Sequence, residues 1–287
     1  MASARDIRHR IQSIENTAQI TKAMHTVAAS KMRTAQQAAI DVRPFVRLLY
    51  SIQRTAATHA AGYTHPLLQR RDVKTRMVIL VASDKGLCGA LNSNIFRLAG
   101  RYDPRTTVFV TAGRKAAQFV ARTRRQLVAD FAYGDTPQYA ESRAIAALAR
   151  DQFVKGAVDA VTIIATRFVN TLKLQPVAIR FLPLDDVEEV EIPGMPAPGS
   201  FAADPRTYLF EPSAGDVLDF LLDHFLNAFV YVVLLNAKAS EQSARMVSMK
   251  GATDNAGDMI RGLTLALNKL RQGRITQELL EIAGGQS

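Results

Sequence analysis

A single cysteine, Cys88, in 287 residues excludes any internal disulfide, and no group of cysteines and histidines has the spacing of metal ligands. The five histidines, His9, His25, His59, His65 and His224, are too scattered to argue for a site. Residues 2–60 contain no glycine and one proline, Pro44, so only Pro44 disturbs a helical reading of this segment. No uninterrupted apolar run is long enough to cross a bilayer. Residues 220–237 come nearest, but Asp223, His224 and Asn227 interrupt them and argue against a membrane span. No nucleophile, base and orienting group assemble along the chain. What is present is enough apolar sequence, 48% against 22% charged, for a soluble folded protein of one large or two modest domains in a reducing compartment.

The net charge of +10 calls for an anionic partner. Residues 1–54 hold nine basic residues against three acidic ones, a net of +6, whereas residues 214–287 hold seven against eight, a net of −1. The positive field therefore belongs to the front of the chain. An arginine-rich amino terminus can be a transit peptide, but Asp6 and Glu15 sit within a regular helical pattern, and the segment is read as mature protein.

Stepping alternately by four and three residues from Ile7 passes through Ile11, Ile14, Ala18, Thr21, His25, Ala28, Met32, Ala35 and Ala39, and continues to Ala56. This is a heptad seam, thin in its first half, on a helix over residues 2–60 that Pro44 should bend or break. A second seam runs from Leu218 through Leu221, Phe225, Ala228, Val232 and Leu235 to Met246, Met249, Ala256, Ile260, Leu263, Leu267 and Leu270, interrupted only by Gln242 and Thr253. Ser213 is placed to cap this helix, with Asp216 and Asp219 favoured by its dipole. A helix of that length is a rod on the order of 100 Å. The two seams predict an antiparallel intramolecular coiled coil. The alternative is two amphipathic helices laid on a central domain, but the seams outrun what a domain of this size could cover.

Between the rods, strands expected at residues 77–82, 107–111, 126–131, 161–166 and 175–181 alternate with helices at 91–98, 114–124 and 139–155. That alternation predicts a small Rossmann-like α/β domain with a mainly parallel sheet. The expected division is an N-terminal coiled-coil helix over 1–60, a central α/β domain over 73–205 and a C-terminal coiled-coil helix over 212–285. Residues 192–205, rich in proline and glycine, are read as a loop returning to the second rod.

Three motifs invite chemistry. Residues 83–92, Ser-Asp-Lys-Gly-Leu-Cys-Gly-Ala-Leu-Asn, follow the first strand and open a helix, where α/β proteins place phosphate loops. They lack a Gly-Lys-Ser/Thr ending and the dinucleotide glycine spacing, which favours a tight turn, and Cys88 within them is either a nucleophile or a small buried residue. Asp185, Asp186, Glu188, Glu189 and Glu191 could hold a cation or form a solvated edge. The basic first helix could grip nucleic acid, carry solvated charge or meet an acidic protein, and no aromatic is interleaved with its charges before Phe45.

Both ends of the chain resemble the gamma subunit of F-type ATP synthases. At the front the resemblance is carried by Ile14-Glu15-Asn16-Thr17, Ile20-Thr21-Lys22-Ala23-Met24 and Val27-Ala28-Ala29-Ser30-Lys31-Met32-Arg33. At the back it is carried by Ala239-Ser240-Glu241-Gln242-Ser243-Ala244-Arg245-Met246, Ala252-Thr253-Asp254-Asn255 and Ile275-Thr276-Gln277-Glu278-Leu279. The turn at 83–92 and Tyr208-Leu209-Phe210-Glu211-Pro212-Ser213 also match. Ala90 and Asn236 depart from the family pattern, and residues 100–205 diverge, as a specialised, sodium-translocating version would.

The resemblance implies the central-stalk rotor of the synthase, with no catalytic, cofactor or metal site of its own. It couples proton or sodium flow to ATP synthesis or hydrolysis. The implied partners are the alpha and beta subunits, the epsilon subunit and the membrane c-ring, with no nucleic acid. The implied location is the cytoplasmic face of the bacterial inner membrane. The partner contacts that the resemblance implies fall on Lys22, Met24, Lys31, Arg33, Glu241, Arg245, Arg271, Gln272 and Thr276; the alternative for each is that it only stabilises the coiled coil, and Glu241 and Arg245 are also spaced as an i,i+4 helix pair.

Overall fold

A computed structural model describes residues 3–59, 65–184, 210–211 and 213–284. Helix α1 (Ala4–His59) is followed by a single 3-10 turn at Pro66–Leu68 and by β1 (Arg76–Val81), α2 (Leu91–Ala99), β2 (Thr107–Ala112), α3 (Arg114–Arg122), β3 (Gln126–Phe131), α4 (Tyr139–Val154), β4 (Ala160–Phe168), β5 (Leu174–Leu182) and α5 (Ala214–Gly284). Every strand and short helix read from the sequence is present, within two residues at each end. The acidic cluster of 185–191, the loop of 192–205, and Tyr208, Leu209 and Pro212 lie outside the described residues.

The chain divides into two compact units whose boundaries fall inside the long helices, one of residues 1–29 and 245–287, the other of residues 30–244. In the first, the front of α1 and the far half of α5 pair antiparallel along the expected seams. Ser3 and Asp6 cap α1 reciprocally: the Asp6 N–H donates to Ser3 Oγ at 3.2 Å and the Ser3 N–H to Asp6 Oδ2 at 3.0 Å. Ile7, Thr21, Ala28, Met249 and Ala256 are buried. The register is fixed by Thr21 and Thr253, whose Oγ1 atoms lie 2.7 Å apart. Two of the polar residues in the seams therefore meet each other, and neither hydroxyl is left in an apolar layer. Running back from that pair, the first turn of α1 falls opposite the turn of α5 near Leu267, which is the last half-buried position of the second seam. Beyond it Leu270, Ile275, Leu279 and Leu280 are exposed.

Thr253→Ala should lower the stability of the purified chain by about 1 kcal/mol, because Thr21 loses its hydrogen bond across the seam and keeps only the Ala18 carbonyl of its own helix. The double variant Thr21→Val with Thr253→Val should fall within about 0.5 kcal/mol of the parent, since replacing both groups by apolar isosteres leaves no unmet hydroxyl. Thermal melts of both variants check the pair.

In the second unit, a five-stranded sheet has the order β3-β2-β1-β4-β5, parallel except for β5, which runs antiparallel to β4. Strand β1 lies at the centre, with Ile79 paired to Val110 on one side and to Ile163 on the other. Its residues alternate between faces, as period-two strands must. Met77, Ile79 and Val81 pack with Ile145, Ala149 and Phe153 of α4 and with Leu222, Phe225, Leu226, Phe229 and Val233 of α5. Val78, Leu80 and Ala82 pack with Leu91 and Ile95 of α2 and Ala116 and Val120 of α3.

Two expectations change here. Of the bend or break expected at Pro44, the break does not occur, and α1 runs through it as one helix. Val46 and Leu49, within the following two turns, belong to the core, and their burial holds the helix together across the missing N–H. Helix α5 is long and apolar enough to cross a membrane by length and composition alone. The apolar residues of 220–237 are nevertheless largely buried against the sheet, which accounts for their hydropathy without a bilayer. Ser213 caps α5 as expected, its Oγ accepting the Asp216 N–H at 3.2 Å.

Candidate functional site

The carboxyl ends of parallel strands are where α/β sheets take ligands. Here that edge is built from Ser83 and Asp84 after β1, Tyr133 and Asp135 after β3, and Thr166 near the end of β4. The residue that reaches into it is Lys238 of α5, 1% exposed. Its Nζ lies 3.0 Å from Glu241 Oε2 and 3.9 Å from both Asp84 Oδ2 and Asp135 Oδ1. It also stands 4.5 Å from the centroid of the Tyr133 ring, a cation–π contact. Lys31 of α1 forms a second ion pair with Asp135. Two ammonium groups and three carboxylates thus form one network, two of whose members, Lys238 and Glu241, are almost wholly removed from water.

The electrostatics follow from this arrangement. The hydrogen bond from Lys31 holds the Asp135 carboxyl below its ordinary range, helped by the charges of Lys31, Lys238 and Lys85. The contribution of Asp135 to stability is therefore present above the ordinary carboxylate pKa and is lost as the pH falls through the depressed value. Burial pushes the Tyr133 hydroxyl well above its usual value, and the Glu241, Asp84 and Glu141 carboxylates reinforce the shift. Tyr133 stays a donor, to the Ala82 carbonyl at 2.9 Å.

Two further hydrogen bonds seat α5 on the same edge. Ser240 Oγ donates to the Thr166 carbonyl at 3.4 Å, and Ser243 Oγ to the Thr171 carbonyl at 3.0 Å. The helix of this chain thereby fills the crevice that a Rossmann-like sheet would offer a nucleotide. The neighbouring turn of residues 83–92 satisfies itself. Ser83 Oγ donates to the Lys85 carbonyl at 2.7 Å and accepts from Asn92 Nδ2 at 2.7 Å, while Asp84 Oδ1 accepts the Arg114 N–H at 3.0 Å. Ser83 and Asn92 serve the turn, Asp84 ties it to α3 and to Lys238, and Cys88 is buried in the core under α2, in contact with Ser83 and Asn92. A groove of about 650 Å³ runs between α4 and α5. The Arg150–Asp223 ion pair at 2.6 Å neutralises part of its wall.

The nine residues singled out from the sequence are distributed over both units. Lys31 and Glu241 are joined through the network by way of Asp135 and Lys238. Arg33 is exposed on α1. In the other unit, Lys22 is exposed, Met24 half-buried and Arg245 buried, and Arg271, Gln272 and Thr276 are exposed on α5 beyond its pairing with α1. Thr276 Oγ1 donates back to the Gln272 carbonyl at 2.9 Å. Lys238, Asp84, Tyr133 and Asp135 were not singled out. The available signal was a lysine directly after an apolar run and three residues before Glu241.

The sequence profile described as ATP synthase matches residues 3–287. The ATP synthase gamma chain of Opitutus terrae is 47% identical, covering 100% of this chain and 98% of its own length. That of Desulforamulus reducens is 39% identical, covering 99% and 98%. Among solved structures, the central stalk and c-ring of the Tetrahymena thermophila mitochondrial ATP synthase contains a chain 25% identical, covering 81% of this chain and 99% of that one with a TM-score of 0.62. With a full-length match to the family profile, gamma-chain relatives across the whole sequence and a central-stalk fold, this chain belongs to the ATP synthase gamma-chain family.

Proposed function

We propose that this chain is the rotating central shaft of a bacterial F-type ATP synthase. In this reading α1 and α5 stand inside the ring of alpha and beta subunits, while the α/β domain rests with the epsilon subunit on the membrane c-ring at the cytoplasmic face of the inner membrane. The observation that carries the reading is the bare end of α5, which outruns α1 and leaves Leu270, Ile275, Leu279 and Leu280 exposed. Large apolar side chains spread around a single helix call for a surrounding sleeve.

A shaft of two unequal helices has no threefold symmetry. It therefore makes different contacts with three otherwise equivalent catalytic subunits and holds them at different nucleotide affinities. Turning it exchanges those affinities, and the linkage is reciprocal, so ion flow drives synthesis or hydrolysis drives pumping. The chain contributes no catalytic residue of its own. The choice of proton or sodium is made in the membrane ring.

The positive front of α1 supplies electrostatic grip. Lys22 and Arg33 are exposed cations of the kind that make and break surface pairs worth about 0–1 kcal/mol, which suits a contact that must be released on every step. Met24 and Arg245 serve the same collar of contacts. Lys31 and Glu241 serve it in part through the internal network that engages them. Arg271, Gln272 and Thr276 form the upper bearing.

Arg271→Ala with Gln272→Ala is expected to leave the fold and melting of the isolated chain within about 0.5 kcal/mol, since both side chains are exposed. In membranes the same variant should weaken ATP-driven transport or assembly of the complex; full transport in reconstituted vesicles would count against the bearing. The reading as a whole is tested by purifying the tagged chain from membranes and asking whether alpha, beta and epsilon subunits come with it.

A further inference from the structure

We infer that Lys238 is a positioning residue that locks the shaft helix α5 to the carboxyl edge of the sheet and so transmits torque between them. This rests on the rotor reading above.

A rotor helix has to pass a twist to the domain that carries it. Most of what holds residues 214–237 of α5 to the sheet is apolar: Leu222, Phe225, Leu226, Phe229, Val233 and Leu234 against Val81, Ile163 and Phe181. Such contacts are strong but non-directional, and rows of similar aliphatic side chains tolerate a shift of register. Nearer its start α5 has polar contacts with other elements, Asp223 with Arg150 of α4 and Asp219 with His65, but its side-chain polar contacts with the carboxyl edge of the sheet begin at Lys238. Within six residues α5 places Lys238 among Asp84, Asp135 and Tyr133, Ser240 on the Thr166 carbonyl and Ser243 on the Thr171 carbonyl. The unit that contains the sheet ends at Ala244, one residue further on. The polar contacts with the sheet edge are therefore gathered on the last turns of α5 that belong to the sheet unit, where a twist entering along the helix is first met.

Fixing register is the best-attested use of a buried charge, which otherwise adds little net stability. Lys238 suits that use. Its ammonium reaches carboxylates that follow two different strands, β1 and β3, so a rotation of α5 about its axis disturbs both contacts at once. Glu241, one turn on, holds the lysine side chain from its own helix at 3.0 Å. Asp135 is held in turn by Lys31 from α1, so one carboxylate ties both long helices to the same edge.

The test uses the whole complex in inverted membrane vesicles and compares ATP hydrolysis with the ATP-driven membrane potential, a readout that serves for either coupling ion. Lys238→Met should leave hydrolysis within about twofold of the parent while the potential developed per ATP falls about fivefold or more, the lower end of a typical coupling effect. Lys238→Arg, which keeps the charge and the reach, should restore at least half of it. Should the Lys238→Met complex fail to assemble, Asp84→Asn with Asp135→Asn carries the test, because it weakens the same lock from the partly exposed side, with an expected fall of about twofold to threefold. A loss of hydrolysis and pumping in equal proportion, or unchanged pumping per ATP in the variant that assembles, overturns the lock while leaving the rotor reading intact. A parent chain that brings down no alpha, beta or epsilon subunit overturns both.

Discussion

Replacing Gly113 with alanine is expected to cost on the order of 3 kcal/mol of stability, among the largest effects of any single methyl group added to this chain. Gly113 lies between β2 and α3 with φ 98° and ψ 140°, a region of backbone space that residues with a Cβ rarely enter and that costs about 1–3 kcal/mol when they do. Space compounds the strain. A Cβ built there would stand 2.1 Å from the Ala82 carbonyl oxygen and 3.2 Å from the Tyr133 ring. The first of these is backbone at the end of the central strand and cannot swing aside as a side chain would. The same carbonyl accepts the Tyr133 hydroxyl at 2.9 Å, so relieving the clash disturbs the aromatic ring that faces Lys238. Urea unfolding followed by circular dichroism measures the loss. An unchanged midpoint would show that the β2–α3 turn can open without disturbing β1.

The contrast between Gly113 and the rest of the fold shows what sequence patterns carry. Strands β1, β2 and β4 were legible because parallel strands buried on both faces produce unbroken apolar runs, such as Met77 to Val81. The seams of α1 and α5 were legible for a different reason: a heptad repeat survives a few polar residues on each side, and two of them, Thr21 and Thr253, satisfy each other. Pro44 does not break α1 because local backbone preference counts for less than the burial of Val46 and Leu49 after it. The antiparallel direction of β5 and the order β3-β2-β1-β4-β5 leave no mark on composition, since both are settled by how connections cross the sheet. The charged network was illegible because its members come from four separate segments of the chain. Each of Lys31, Asp84, Asp135 and Lys238 reads in isolation as an ordinary surface residue. Lys31 and Glu241 stood out, through their family motifs, and the structure gives Glu241 a partner on its own helix.

That partner sets up the second large effect. Lys238→Ala is expected to lower stability by about 3–5 kcal/mol, because it takes the ammonium from beside Glu241, whose side chain is 3% exposed, and opens a void under the Tyr133 ring. The loss should not be taken as the worth of the ion pair. Most of it is the cost of keeping a carboxylate out of water with its nearest cation gone, which predicts that removing both charges does far less harm. Lys238→Met fills the space of the lysine stem, and combining it with Glu241→Gln replaces the carboxylate by a neutral group of the same shape. The double variant should recover most of the stability, with a coupling energy of about 1–3 kcal/mol between the two positions in a double-mutant cycle. Denaturation midpoints of the parent, the two single variants and the double variant complete the cycle. Additive losses would mean that Lys238 acts through packing alone, and the network would then have no energetic identity. Strong coupling in stability, together with lost pumping per ATP in the stable double variant, would separate the two roles of this lysine: a buried charge that apolar packing can replace for folding, and a register pin that it cannot replace for transmitting torque.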